Sequence, residues 1–152
     1  MKIPLELKGL LEDYESIKVL STTDKDGVPN ACFKGSLTAL DDGLLAYVEF
    51  SESSRSQKNM LHNLWFKKPV AIAVCKGALA YQIKGVPYRF VIEGPLRDRF
   101  FQEVWKRIPE SNPSGVWLIK PEEIIDESFL AQQKKEQGKI NYSIWYQYLG
   151  RP

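Results

Sequence analysis

"LAYQIKGVPYRFVIEG", residues 79–94, decides how the rest of the chain is read. Its large apolar residues fall first at odd positions (Leu79, Tyr81, Ile83) and then at even ones (Val86, Tyr88, Phe90, Ile92). Side chains alternate across a strand with a period of two, so an unbroken strand keeps one parity. The change of phase at Gly85 therefore predicts a bulge or sharp bend inside one long strand. Strands that bend in this way let a sheet curl and close on itself.

The segments around it agree with a curled antiparallel sheet. Leu7, Leu10, Leu11 and Tyr14 sit at helical spacing and predict a short helix over 5–15. "SIKVLSTT" (16–23) reads as a strand, followed by the turn "DKDG", whose Gly27 suits a positive φ. "VPNACFKGSLTAL" (28–40) alternates, with Ala31, Phe33, Gly35, Leu37 and Ala39 on one face. Asn30, Cys32, Lys34, Ser36 and Thr38 take the other, which predicts a half-buried strand with one polar face. After the turn "DDG" (41–43), "LLAYVEF" (44–50) is the third strand. A helix over 56–66 presents Met60, Leu61, Leu64 and Trp65 as its buried stripe, with Pro69 beyond its end. "VAIAVC" (70–75) is apolar on both faces and reads as a central strand. Beyond the bent strand, Leu96, Phe100, Phe101, Val104 and Ile108 mark a second amphipathic helix. "GVWLIKPEEII" (115–125) is a last core strand, and from Ser128 the tail is polar until Trp145, Tyr146 and Tyr148.

Six strands joined mostly by hairpins, with two or three helices, predict a mainly β fold: a six-stranded antiparallel barrel with flanking helices. The 152 residues carry no internal repeat or linker and read as one domain, 1–152. Hydrophobic residues at 43% and charged residues at 26% are ordinary for a soluble domain. The longest apolar runs are too short to cross a bilayer as a helix. "MKIPLELKGLLEDYES" holds acidic residues and no apolar signal core, so the expectation is a cytoplasmic protein without a membrane partner. A net charge of +2 is too small to call for a nucleic-acid partner. Cys32 and Cys75 form no CxxC pair and have only His62 to help them, which argues against a zinc site.

No hydrolytic constellation assembles from these residues. His62 is the single histidine and faces away from the predicted apolar stripe. Asp41-Asp42 and Glu122-Glu123 fall at turn-like or strand-end positions, and no GxGxxG or GxxxxGK loop occurs. If the protein is an enzyme, the difficult chemistry belongs to a bound cofactor. Attention then falls on Ser54-Arg55-Ser56-Gln57-Lys58, at the predicted helix start. Free backbone N–H groups and the helix dipole favour an anion there. A serine cap followed by two solvated cations accounts for the same letters. Lys34 and Ser36 form a second donor group, and a hairpin of the second and third strands would bring Lys34 close to that helix start.

Taken in order, these stretches resemble the pyridoxamine 5′-phosphate oxidase-like, FMN-binding split-barrel family. "VLSTTDKDGVPNACFKGSL" resembles its opening hairpin, with a D-G turn and a G-x-P-N segment leading into a Lys-containing strand. "RSQKNMLHN" resembles its phosphate-binding helix start, and "PVAIAV", "AYQIKGVPYRF" and "VWLIKPEEI" resemble three later strands. The likeness runs over about residues 3–127. It implies a six-stranded split barrel and a homodimer with FMN at the subunit interface. By position, Arg55 and Ser56 would contact the phosphate, with Gln57, Lys58 and Asn59 as neighbours. Phe33, Lys34, Gly35 and Ser36 would lie along the flavin, and Gln82 would reach the cofactor.

The implied activity is that of an FMN-dependent oxidoreductase or flavin reductase acting on a small-molecule substrate. The alternatives are a non-catalytic FMN-binding electron carrier, or a split barrel that uses haem or a deazaflavin. No metal and no catalytic residue are assigned. Two departures stand out. About three extra residues separate Asn63 from Pro69, and the C-terminal "INYSIWYQYLGRP" has an arginine but no histidine, which argues against vitamin B6 synthesis. The tail, 131–152, is expected to pack on the dimer partner through Trp145 or Tyr146.

Overall fold

The structure, a computed structural model, describes residues 1–137. In chain order the elements are α1 (Leu5–Glu12), β1 (Ile17–Thr23), β2 (Pro29–Phe33), β3 (Thr38–Ala39), β4 (Leu45–Glu49) and α2 (Arg55–Phe66). Then come β5 (Val70–Lys76), β6 (Leu79–Val91), α3 (Pro95–Arg107), β7 (Gly115–Asp126) and α4 (Phe129–Glu136). The strands form one antiparallel sheet in the order β2-β1-β5-β6-β7-β4-β3.

That order forces the sheet to curl. Its two edge strands, β2 and β3, are consecutive in sequence and joined only by Lys34–Leu37, where the Leu37 N–H donates to the Lys34 carbonyl. Laid flat, seven strands would separate those edges by about 29 Å, at about 4.8 Å per spacing. The chain from Phe33 to Thr38 can reach only about 18 Å. The result is a curled half-barrel whose edges are tied by a short link. Along β6 the pairing to β7 slips between Lys84 and Gly85, so the irregularity predicted there is present. The buried face nevertheless stays on odd residues through Pro87 and shifts only at the second slip, between Pro87 and Arg89, leaving Tyr88 and Ile92 exposed. A Cβ at Gly85 would run into the Lys120 carbonyl oxygen, which explains why the bulge carries glycine.

Two apolar clusters hold the layers together. Inside the curl, Leu7 and Leu11 of α1 pack with Leu20, Leu45, Tyr47, Met60, Ile72, Ile83, Trp117 and Ile119. On the outer face, Ala46, Val48, Val116 and Leu118 pack against Phe101 and Val104 of α3. Strand β4 is therefore buried on both faces. Lys18 braces the inner layer: its buried Nζ donates to the carbonyls of Leu11 (2.6 Å), Leu37 (3.0 Å) and Gly35 (3.2 Å). Burial holds its ammonium below the ordinary lysine range.

Several expectations need correction. The single strand expected over 28–40 is two, which makes seven strands rather than six. The link at 34–37 must carry the chain from one sheet edge to the other, so it cannot stay paired. In β2 the faces are also exchanged, with Phe33 78% exposed and Cys32 half-buried. In α2, Met60 is buried and Leu64 half-buried, but Leu61 and Trp65 are exposed, and Ser56, Gln57, Asn59 and Asn63 face inward instead. Strand β5 is central, yet it alternates, burying Val70, Ile72 and Val74. The first helix stops at Glu12, leaving Tyr14 exposed, and α4 occupies part of the expected polar tail. Trp145, Tyr146 and Tyr148 lie outside the described residues. Among the described residues no helix is long and apolar enough to cross a membrane.

Candidate functional site

The start of α2 is built as the sequence pattern implies. Ser54 is the N-cap, and its Oγ accepts from the Gln57 N–H at 3.0 Å. Lys34 does approach this helix start, but the meeting point is a residue that the pattern did not single out. The Glu49 side chain, at the end of β4, is buried, and its Oε2 accepts from Lys34 Nζ (3.1 Å) and Ser56 Oγ (3.2 Å). Its Oε1 accepts from the Ser51 N–H (3.2 Å) and Ser54 Oγ (3.3 Å). A carboxylate of this chain therefore sits where an external anion was expected. The available signal was the acid in "YVEF", a charge inside an apolar strand just ahead of the serine-rich segment.

The other predicted residues divide into committed and open ones. Gln57 is buried and its Oε1 accepts from Trp117 Nε1 at 2.6 Å. Asn59 is buried and donates to Thr22 Oγ1 at 3.0 Å. Ser36 Oγ accepts from the Val48 N–H at 2.9 Å, and the Gly35 carbonyl accepts from Lys18. Arg55, Lys58 and Phe33 are exposed. Gln82 stands apart from the cluster on β6, where its Nε2 donates to Glu127 at 3.1 Å. His62, half-buried, packs against Phe66 with the rings tilted by 43° and their centroids 4.6 Å apart. Asn63 is fully buried, and neither of its polar side-chain atoms has a partner.

A cavity of about 530 Å³ opens under α3, lined by Tyr14, Lys18, Gly35, Ser36, Phe50 and Phe100 among others. Such a volume is within the range of small-molecule sites. Val48 also lines it, and side chains alternate along β4, so the cavity and Glu49 lie on opposite faces of that strand. The ribbon from Phe33 to Ser36 serves both sides: Lys34 goes to the carboxylate cluster, Gly35 and Ser36 to the cavity.

Tyr47 lies beneath the cluster, with Lys34 Nζ 5.0 Å from its ring centroid. Its hydroxyl is buried without a partner. Burial, then the neighbouring Glu49 and Cys32, pushes the phenol far above its ordinary range. The folded state thus keeps a proton that the unfolded chain releases once the pH passes about 10. Stability is present below that pH and falls above it, by at most about 1.4 kcal/mol per pH unit for one group. Urea midpoints at pH 9 and pH 11 are expected to fall less for Tyr47→Phe than for the wild type; equal falls would show that Tyr47 titrates normally.

No family model and no curated protein matches this sequence. Solved structures do. HupZ from Group A Streptococcus is 23% identical, with 84% of this chain and 96% of that chain covered at a TM-score of 0.71. An FMN-binding protein from Syntrophomonas wolfei is 15% identical, with 80% and 84% covered at 0.67. A candidate pyridoxamine 5′-phosphate oxidase from Lactobacillus delbrueckii is 21% identical, with 82% and 93% covered at 0.63. The fold is the split barrel that these structures share. Structures matching this split barrel also include an F420 reductase and HutZ, the haem storage protein from Vibrio cholerae.

FMN, the cofactor implied by the resemblance, can be tested against these residues. The cavity beside Gly35 and Ser36 has the volume of a small-molecule site. The phosphate does not fit at α2, because Lys34, Ser51, Ser54 and Ser56 already turn their donors onto Glu49. A phosphoryl group there would find these donors already taken within a charge-balanced pair. Among the described residues no group of His, Cys, Asp or Glu is placed to hold a metal ion.

Proposed function

We propose that this protein binds a planar redox cofactor of the flavin class, with the ring in the cavity beside Gly35 and Ser36. FMN is the first member of that class to test, in a protein that passes electrons to or from a small-molecule substrate. The observation that carries the reading is the ribbon Phe33–Ser36, which borders both the 530 Å³ cavity and the polar start of α2. It does so in a fold whose solved examples bear the names FMN-binding protein and F420 reductase. The protein's own part is to shelter the ring between Tyr14, Phe50 and Phe100 and to exclude water from one side. Exposed apolar residues support a homodimer that covers the cofactor: Phe33 at 78%, Trp65 at 81% and Phe66 at 57% exposed.

One observation favours a second cofactor class. With the anion seat filled by Glu49, a haem, whose two propionates can stay at the surface, does not depend on that seat, and HutZ carries the name of a haem storage protein on this fold. The absorbance spectrum of freshly purified protein, followed by mass identification of whatever heat releases, separates the two. The expected chromophore is a flavin, reducible by NADH or NADPH if the protein turns over and not reducible if it only carries electrons. Failure to bind FMN, riboflavin or a deazaflavin at micromolar concentration, with haem retained, would replace the flavin reading by the haem one.

A further inference from the structure

Glu49 is the only buried acidic residue among the described residues, and its carboxylate accepts four hydrogen bonds. Two donors reach each oxygen, which matches the roughly four acceptor sites a carboxylate offers. Lys34 brings one positive charge and Glu49 one negative charge, so the cluster is electrically balanced as it stands. The Glu49 backbone is also fixed in place. Glu49 ends β4 opposite Gly115 of β7, and its carbonyl accepts from the Ser114 N–H at 2.8 Å. Swinging the side chain out would leave Lys34 (11% exposed) without its counter-charge.

We infer that Glu49 determines ligand choice at the start of α2: it stands in for a phosphoryl group, so the cleft takes cofactors without regard to a phosphate on their tail. The inference rests on the proposed flavin reading for its ligand and goes beyond it by assigning selectivity to one side chain. In a seat of this kind the donors usually reward a doubly charged tail, and charge-assisted hydrogen bonds are the strongest available. Here the same donors are spent on an internal anion. A phosphate on the ligand would find only Arg55 and Lys58, both exposed and screened by water.

The test compares two flavins and two proteins. Wild-type protein is expected to bind FMN and riboflavin within about threefold of each other. Glu49→Gln keeps the shape and an acceptor for Lys34 but frees its charge, and is expected to bind FMN at least tenfold more tightly than riboflavin. Inorganic phosphate supplies a readout independent of flavin: at matched ionic strength it should raise the melting temperature of Glu49→Gln more than that of the wild type. Wild-type protein that prefers FMN tenfold or more would overturn the inference, as would a Glu49→Gln protein that gains neither FMN preference nor a phosphate response. If neither protein binds either flavin, the flavin reading fails, and the difference in phosphate response still decides the role of Glu49. Should Glu49→Gln fail to fold, the wild-type ratio and the wild-type phosphate response decide it: indifference to both supports the inference and a clear preference for either refutes it.

Discussion

Replacing Lys34 with methionine is expected to lower stability by about 3–5 kcal/mol, the usual cost of leaving one member of a buried ion pair without the other. The pair qualifies as buried: its side chains are 11% and 3% exposed, and the Nζ–Oε2 distance is 3.1 Å. Methionine keeps most of the apolar stem that lies near Tyr47, so the loss is chiefly electrostatic. What remains is a buried carboxylate held by two serine hydroxyls and one backbone N–H. Length alone is a poor guide to such an effect. The Lys76–Asp13 pair is shorter, at 2.6 Å, yet both side chains are open to water, which screens their attraction. The decisive comparison is the double variant Lys34→Met with Glu49→Leu, which removes both charges and is expected to regain most of the loss. Urea unfolding measures all three proteins. A Lys34→Met loss below about 1 kcal/mol would mean that Glu49 finds water in solution, and the seat would then be open to an outside anion.

The parts of this fold that could be read from sequence are those where the backbone alone dictates the pattern. The sequence parity places an irregularity at Gly85 and the pairing does slip there, but the inward face stays on odd residues through Pro87 and changes only past Tyr88, which is unpaired and exposed. The α3 helix was legible because Phe101 and Val104 meet an apolar sheet face. The α2 helix misleads because its inner face meets polar groups: Thr22, the Trp117 indole N–H and Glu49. Apolar periodicity assumes that the interior is apolar, and at the mouth of this barrel it is not. Leu61 and Trp65 are thereby left outside.

The site shows the same division. The proximity of Lys34 to the helix start follows from two adjacent strands and was legible. The occupant was not. Burial of Glu49 depends on a lysine fifteen positions earlier and serines just after it, and no local pattern encodes that agreement. Gln57 and Asn59 show how easily donors near a helix start are mistaken for open ones, because both are spent on internal partners. Arg55 and Lys58 fit the alternative account of the same letters, as solvated cations behind a serine cap.

Truncating Trp117 to alanine is expected to be at least as damaging as losing Lys34, and by a different route. The side chain is fully buried at the centre of the curl, paired in register with Tyr47 on β4 and Phe90 on β6, with the Phe90 ring centroid 4.8 Å away. Removing it opens a cavity and should cost about 3–5 kcal/mol. It also strips Gln57 Oε1 of its donor at a fully desolvated position, which adds about 1–3 kcal/mol. Trp117→Phe separates the two contributions, because it keeps the ring contact with Phe90 and loses only the indole N–H and part of the volume. If packing dominates, the phenylalanine variant retains more than half of the stability that alanine loses in urea unfolding. Equal losses in the two variants would place the burden on the Trp117–Gln57 hydrogen bond instead. In that case the first turn of α2, and with it the grip of Ser54 and Ser56 on Glu49, depends on a bond made from the barrel interior.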